Sequence, residues 1–361
     1  MRPRPEAARR AAAIDNGRLA NIYQGHPEPR FRSAGRRIRS EGPPMRSAAA
    51  VAAIVLLAVL LGACAALYTP DKPRAELEAR YARPPSRFVD AAGVRLHVRD
   101  TGPRDAPAVL LLHGFGASLH TWEAWAEALS ADFRVVRLDL PGFGLTGPDP
   151  TGDYTDARAV RVLAAMLDEL GIRRASVVGS SMGGRIAWFF AATEPERVDK
   201  LVLMAPDGFA SMGREYGKTP RVPFLARLLP FVLPTRLLRA TAAGAYADPA
   251  ALTDDAVARY RDMLLAPGVR RAILARVRQG VLADPEPLLR RVRAPTLLVW
   301  GEKDRMVPFS NAADYMELLP DSAVVSFPEL GHVPQEEAPA RALEPVRAFL
   351  LRRGGAGRAG S

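Results

Sequence analysis

From residue 87 onward, short apolar runs alternate with stretches of helical period. Arg87–Asp90 and Val94–Asp100 flank Ala91-Ala92-Gly93 and read as a hairpin. Further apolar runs occur at Val109–Leu112, Arg134–Leu138, Ala175–Val178, Lys200–Met204, Thr296–Trp300 and Ala323–Phe327. Each is bounded by Gly, Pro or polar residues, as strands buried on both faces are. Helical stretches lie between them at Thr121–Ser130, Ala157–Leu170, Met182–Thr193, Asn311–Leu319 and Ala338–Arg353. This alternation predicts an α/β domain, a mostly parallel sheet with helices on both faces. Residues 208–293 break the rhythm: Phe224–Leu229, Thr235–Ala243, Asp254–Leu265 and Val269–Val281 are helix-like and no strand pattern appears, so a helical cap is expected between two strands. Upstream, Ala48–Leu67 is 20 residues without a charge. A helix of that length spans roughly 30 Å, and it lacks the polar stripe of a core helix.

The expected organisation is therefore a disordered basic arm at 1–46, a membrane anchor or signal segment at 47–67, and a juxtamembrane linker or helix at 68–86. The core would comprise 87–207 and 294–353, the cap 208–293, and a flexible tail 354–361.

Charge changes this picture only at the N-terminus. The formal charge is +11, but residues 1–46 hold 11 Arg against 4 acidic residues and so carry +7 of it. The remainder is an ordinary mixed surface, which argues against a nucleic-acid partner. The single cysteine, Cys64, allows neither an intramolecular disulfide nor a cysteine metal cluster. Basic residues ahead of an apolar segment resist translocation. The expected location is thus a bacterial inner membrane, with the catalytic domain facing the periplasm. A chain beginning at Met45 would instead resemble an export signal, and Leu61-Gly62-Ala63-Cys64 would then fit a lipoprotein acylated on Cys64. The run continues through Ala65, Ala66 and Leu67, which favours an uncleaved helix.

The chemistry resides in sequence elements that follow strands. Gly179-Ser180-Ser181-Met182-Gly183 joins a strand to a helix in the G-x-S-x-G pattern, where small residues let the crowded chains pass and the central serine is held in a strained turn. Leu111-Leu112-His113-Gly114-Phe115-Gly116 ends the preceding parallel strand, and the N–H groups of Phe115 and Met182 are candidate donors to a developing oxyanion. His113 is expected to hydrogen-bond the loop. A serine needs a base. Of five histidines, His332 in Glu329-Leu330-Gly331-His332-Val333 alone follows the last strand and precedes the final helix. Asp304 in Gly301-Glu302-Lys303-Asp304 would orient it, and Asp207, also at a strand end, is the rival carboxylate. Gly142-Phe143-Gly144 lacks the context of a dinucleotide site, and no metal or cofactor is expected.

With Asp139-Leu140-Pro141-Gly142-Phe143-Gly144 added to these motifs, residues 87–350 resemble the α/β-hydrolase superfamily in the order Ser181, Asp304, His332. Within it the chain is similar to bacterial lipase- and esterase-like members, including membrane-anchored phospholipases A with an N-terminal apolar helix. The resemblance implies a serine hydrolase acting on an acyl-ester or lipid substrate at a membrane. The serine at the elbow disfavours haloalkane dehalogenase and epoxide hydrolase chemistry, which uses aspartate there. Serine-dependent hydrolysis of carbon–carbon bonds in ring-fission products, and a non-catalytic ligand-binding homologue, remain as alternatives. Within the cap, the apolar stretch Val222–Leu238 holds Phe224, Leu225, Leu228, Leu229, Phe231, Val232 and Leu233, some of which are expected to line an acyl tunnel above Ser181, with Phe224 and Phe231 as the positions to test.

Overall fold

The computed structural model describes residues 45–210 and 215–352. Eight strands, β1 (Ser86–Ala91), β2 (Val94–Thr101), β3 (Ala108–Leu112), β4 (Arg134–Leu138), β5 (Ala175–Ser180), β6 (Val198–Met204), β7 (Thr296–Gly301) and β8 (Ser322–Phe327), form one sheet in the order β1-β2-β4-β3-β5-β6-β7-β8. The hairpin β1–β2 and its junction with β4 are antiparallel, and all later pairings are parallel. The period of two along each strand sends alternate side chains to opposite faces. Leu110, Leu112 and Val177 enter one apolar cluster, while Val109, Leu111 and Val178 enter the other. Both faces are covered, so β3, β4, β5 and β7 are buried along their whole length.

The helices are α1 (Met45–Leu67), α2 (Arg74–Tyr81), α3 (Glu123–Leu129), α4 (Asp156–Glu169), α5 (Met182–Thr193), α6 (Thr235–Ala243), α7 (Asp254–Leu264), α8 (Val269–Gln279), α9 (Glu286–Leu289), α10 (Asn311–Leu318), α11 (Pro334–Glu337) and α12 (Pro339–Leu351). Thr155 caps α4 by accepting from Arg158 N, and Thr253 caps α7 by accepting from Ala256 N. Helices α6 to α9 lie between β6 and β7, the interval the sequence assigns to the cap. There Tyr246, Leu252, Ala256 and Val257 form a small apolar cluster of their own. The segment expected as helix at Phe224–Leu229 is a short 3-10 turn, Leu225–Leu228. Within α1, Ala48–Leu67 is long and apolar enough to cross a membrane, and none of it is buried in the protein. Apart from Met45 and Arg46, the arm expected at 1–46 lies outside the described residues, as does the tail at 354–361.

Residues 68–86 hold more structure than their Pro-rich, charged composition suggests. Leu77 on α2 is 1% exposed and Tyr81 is buried, both within the main core. Tyr81 Oη donates to Asp262 Oδ2 on α7 at 2.9 Å, and Arg270 on α8 donates to Thr69 O at 2.7 Å and Asp71 Oδ1 at 2.6 Å. This strap is thereby fixed to α7 and α8. Leu77→Ala is expected to lower unfolding free energy by about 2–5 kcal/mol in denaturant titrations, the cost of an unfilled core cavity. A change near zero would mean that the strap contributes nothing to the fold.

Candidate active site

Ser181 is the single residue between β5 and α5, with φ 54° and ψ −118°. Such a positive φ is strained for a side chain with a Cβ and survives only where the surroundings impose it. They do so by crowding. A Cβ on Gly179 would collide with the backbone of Gly183, and one on Gly183 with the carbonyls of Leu112 and His113 at the end of β3. One on Gly114 would lie 3.3 Å from Ser181 Cβ, so the loop after β3 passes directly against the serine. That loop carries Phe115, and Met182 opens α5. Among the described residues neither Phe115 N–H nor Met182 N–H donates to another backbone carbonyl.

The loop is held from behind. His113 Nδ1 donates to Gly114 O at 2.8 Å and Nε2 accepts from Leu140 N at 3.0 Å, the loop-holding place expected of this residue. Asp139, fully buried, accepts from Leu119 N, Leu145 N and His97 Nδ1, each at 2.8 Å. Gly144, at φ 50°, leaves room for that carboxylate. The motif Asp139–Gly144 is thus a brace for the loop after β3.

On the other side, His332 Nδ1 is 2.7 Å from Asp304 Oδ2. The second oxygen of Asp304 accepts from Met306 N at 2.7 Å and Val307 N at 2.9 Å, which locks its orientation. His332 N donates to Ala245 O at 2.7 Å, tying the histidine loop to the cap. His332 and Ser181 line the same cavity. The rival Asp207 pairs with Arg185 instead, at 3.4 Å. Ser181, Phe115 and His332 thus share one cavity, Asp304 stands behind His332, Met182 adjoins Ser181 at the start of α5, and Asp207 is paired with Arg185.

The cavity has a volume of about 610 Å³. Leu225, Leu228, Leu229, Val232 and Leu233 form walls, but Phe224 and Phe231 do not. These five were among the residues expected there, and only the place of the two phenylalanines is corrected: Phe224 is 74% exposed, and Phe231 lines a separate pocket with Tyr68 and Arg270. The sequence also gave no sign of several polar wall residues. Tyr246 and Tyr260 donate to Glu336 at 2.8 and 2.7 Å, and Thr121 bonds the same carboxylate. Burial, followed by the charge of Glu336, pushes both tyrosines above their usual range. Arg276 on α8 reaches the sulfur of Met182 at 3.0 Å, and burial lowers its pKa to about 10. No spacing rule flags these residues, because they come from separate elements.

Residues 107–339 match the pattern of the alpha/beta hydrolase fold family. The chain belongs to that family. It is a serine-type α/β hydrolase. A 2-hydroxy-6-oxononadienedioate/2-hydroxy-6-oxononatrienedioate hydrolase of Cupriavidus pinatubonensis is 32% identical over 70% of this α/β hydrolase and 90% of the relative. A solved meta-cleavage product hydrolase of Pseudomonas fluorescens superposes with a TM-score of 0.63 at 27% identity, covering 73% of this chain and 97% of the other. A membrane phospholipase A superposes with a TM-score of 0.62 at 27% identity, over 85% of this chain and 96% of the other. Other sequence relatives are named as a 2-hydroxymuconate semialdehyde hydrolase of Pseudomonas putida and a 2-hydroxy-6-oxo-6-phenylhexa-2,4-dienoate hydrolase of Burkholderia cepacia. The expectation of a carboxylic-ester substrate is corrected accordingly: a triad serves either reaction, and its residues carry no information about the bond.

Burial pushes the His120 imidazole, beside Tyr81 and His97, down to about 3. The unfolded chain therefore binds a proton that the folded chain refuses between pH 6.5 and about 3. Stability is full above that window and is lost as pH falls through it, on the order of 2 kcal/mol by about pH 4.5. His120→Gln should flatten this acid loss in unfolding titrations between pH 7 and pH 4.5. An unaltered slope would show that the proton is taken up elsewhere.

Proposed function

We propose that this chain is a serine-dependent hydrolase of a carbon–carbon bond beside a ketone, acting on enolised ketones of the ring-fission type. What supports the reading most is the pairing of His332–Asp304 with a strained Ser181, in a chain whose named relatives hydrolyse 2-hydroxy-6-oxo-dienoates. In this reading His332 takes the hydroxyl proton as Ser181 Oγ bonds to the ketone carbon. Asp304 fixes the imidazole tautomer and stabilises the imidazolium. The oxyanion is received by the N–H groups of Phe115 and Met182, where one such donor is worth about 2.7–4 kcal/mol. Before the carbon–carbon bond can break, the dienol becomes the ketone: the carbon beside the reacting carbonyl gains a proton and the enol hydroxyl gives one up. That bond then breaks, its electron pair passes through the remaining double bond onto the new carbonyl as a dienolate, and the dienolate takes the proton from His332. Water, activated by the same histidine, hydrolyses the acyl-serine to a carboxylic acid.

The test follows the loss of the absorbance of a 2-hydroxy-6-oxo-dienoate with purified protein. Ser181→Ala should lower turnover by roughly 10⁵–10⁶, and Asp304→Asn by roughly 10⁴. Asp207→Asn should cost less than Asp304→Asn. Wild-type protein that cleaves the carbon–carbon bond of neither the dienoate nor an uncharged diketone, or Ser181→Ala with most of its turnover, would overturn the reading.

We further propose that residues 48–67 hold the enzyme at a membrane, as an uncharged helix of 20 residues can. Wild type and Cys64→Ser should both fractionate with membranes at full length. Cleavage that vanishes in the mutant would replace the helix with a lipid anchor, and soluble protein in both would remove the membrane from the account.

A further inference from the structure

We infer that the substrate of this site is an electrically neutral, apolar enolised diketone, in place of the dioate named for the relatives. The inference rests on the carbon–carbon hydrolase reading for its chemistry, but its basis is the cavity wall.

Among the described residues, no Lys, Arg, Asp or Glu lines the cavity. The nearest formal charge behind its polar wall has the wrong sign for an anionic substrate. Glu336 is held there by the hydroxyls of Tyr246, Tyr260 and Thr121, so three donors that could have met a substrate carboxylate are already engaged. Arg259, 3.5 Å from Glu336, is likewise directed to that carboxylate. Arg276 is nearby but lies outside the lining, bonded to the Met182 sulfur and set among Asp156 and Arg185. A carboxylate entering this cavity would lose its hydration without gaining a cation, a penalty of the kind that keeps unpaired charges out of protein interiors.

The mouth agrees with the interior. Leu225, Leu228 and Leu237 both line the cavity and face solvent, at 75, 44 and 63% exposure. The path inward is thus apolar from the surface on.

One polar feature beside the serine suits a neutral ligand. Gln335 lines the cavity, is 3% exposed, and has its Oε1 buried without a partner, while Nε2 lies 3.5 Å from Ser180 Oγ. A buried carbonyl oxygen left unbonded calls for a donor. The O–H of an enol supplies one without bringing charge. A 1,3-diketone presents that enol on binding, and once the enol proton has moved to the central carbon its second carbonyl is there to accept the electron pair. Ser181 Oγ bonds to one carbonyl carbon, and the bond from that carbon to the central carbon breaks. The enolate so formed takes the proton that His332 removed from the serine and leaves as a methyl ketone. Water then releases the other half as a carboxylic acid, so one water is consumed per bond cleaved and nothing is oxidised or reduced.

The experiment uses the purified full chain in detergent and measures protection of Ser181 from a fluorophosphonate probe. The protecting ligands are an aliphatic 1,3-diketone and its analogue of equal carbon number ending in a carboxylate. The neutral diketone should protect at a concentration at least about tenfold lower, and Gln335→Leu should weaken its protection about five- to tenfold. Equal or better protection by the carboxylate overturns the inference, and an unchanged Gln335→Leu variant overturns the enol contact. Turnover of both ligands and of a dienoate is measured in parallel. Protection as expected without cleavage of any of them would support the neutral pocket and overturn the carbon–carbon hydrolase reading, whereas cleavage of the dienoate in preference would do the reverse.

Discussion

The passage of α5 against the ends of β3 and β5 is the constraint on which the rest of the site depends. Gly179 and Gly183 are in backbone contact with their neighbours, and Gly114 brings the following loop onto the serine. No side chain fits at these points, so the turn between them is forced and Ser181 takes its positive φ as a result. The strain is borne by the packed sheet, since β3 and β5 are buried on both faces. Because the same passage sets Ser181 and Met182 against the loop that carries Phe115, a shift in α5 would displace the proposed nucleophile and the proposed oxyanion donors together.

Around that fixed point the remaining groups are held by bonds between distant parts of the chain. His332 is anchored from the cap through Ala245 and oriented by Asp304, whose own second oxygen is committed to backbone. Arg276 reaches from α8 to Met182, so the cap also touches the residue that opens α5. The strap at 69–81, pinned to α7 and α8, sets the cap from the other side. The position of the cap is thus specified by polar contacts at its edges, and its inner leucines are left free to shape an apolar cavity.

The buried polar groups are divided by task. Asp139 and the ring of His113 are fully used in bracing the loop after β3. Glu336 gathers three hydroxyl donors and turns them away from the cavity. The cavity lining that holds Ser181 also holds Gln335, whose amide nitrogen faces Ser180 and whose amide oxygen is without a partner among the described residues. A low-dielectric cavity amplifies each such choice, because a charge there is stabilised only by what the protein supplies.

The sequence by itself determined the strands, most helices and the residues of the elbow. Periodicity and Gly-x-Ser-x-Gly are local patterns, and the fold obeys them because the central strands β3, β4, β5 and β7 are buried on both faces. It also placed His332, since a single histidine follows the last strand. It left Asp304 and Asp207 as rivals, because both follow strands, and only the tertiary structure placed one against His332 and the other against Arg185. A helix was one of two readings for 68–86, but its packing into the core was not legible, because Leu77 and Tyr81 lie in a charged stretch and the residue that Tyr81 bonds, Asp262, is 181 positions away. Of the seven apolar residues expected along the cavity, the leucines and Val232 line it and Phe224 and Phe231 do not, a division that an apolar run by itself does not show. The bond to be cleaved was not legible at all. A serine, a histidine and an aspartate activate the same nucleophile for an ester or a ketone, and what distinguishes the substrates is the charge and polarity of a wall assembled from residues 114 to 335, which exists only once the chain is folded.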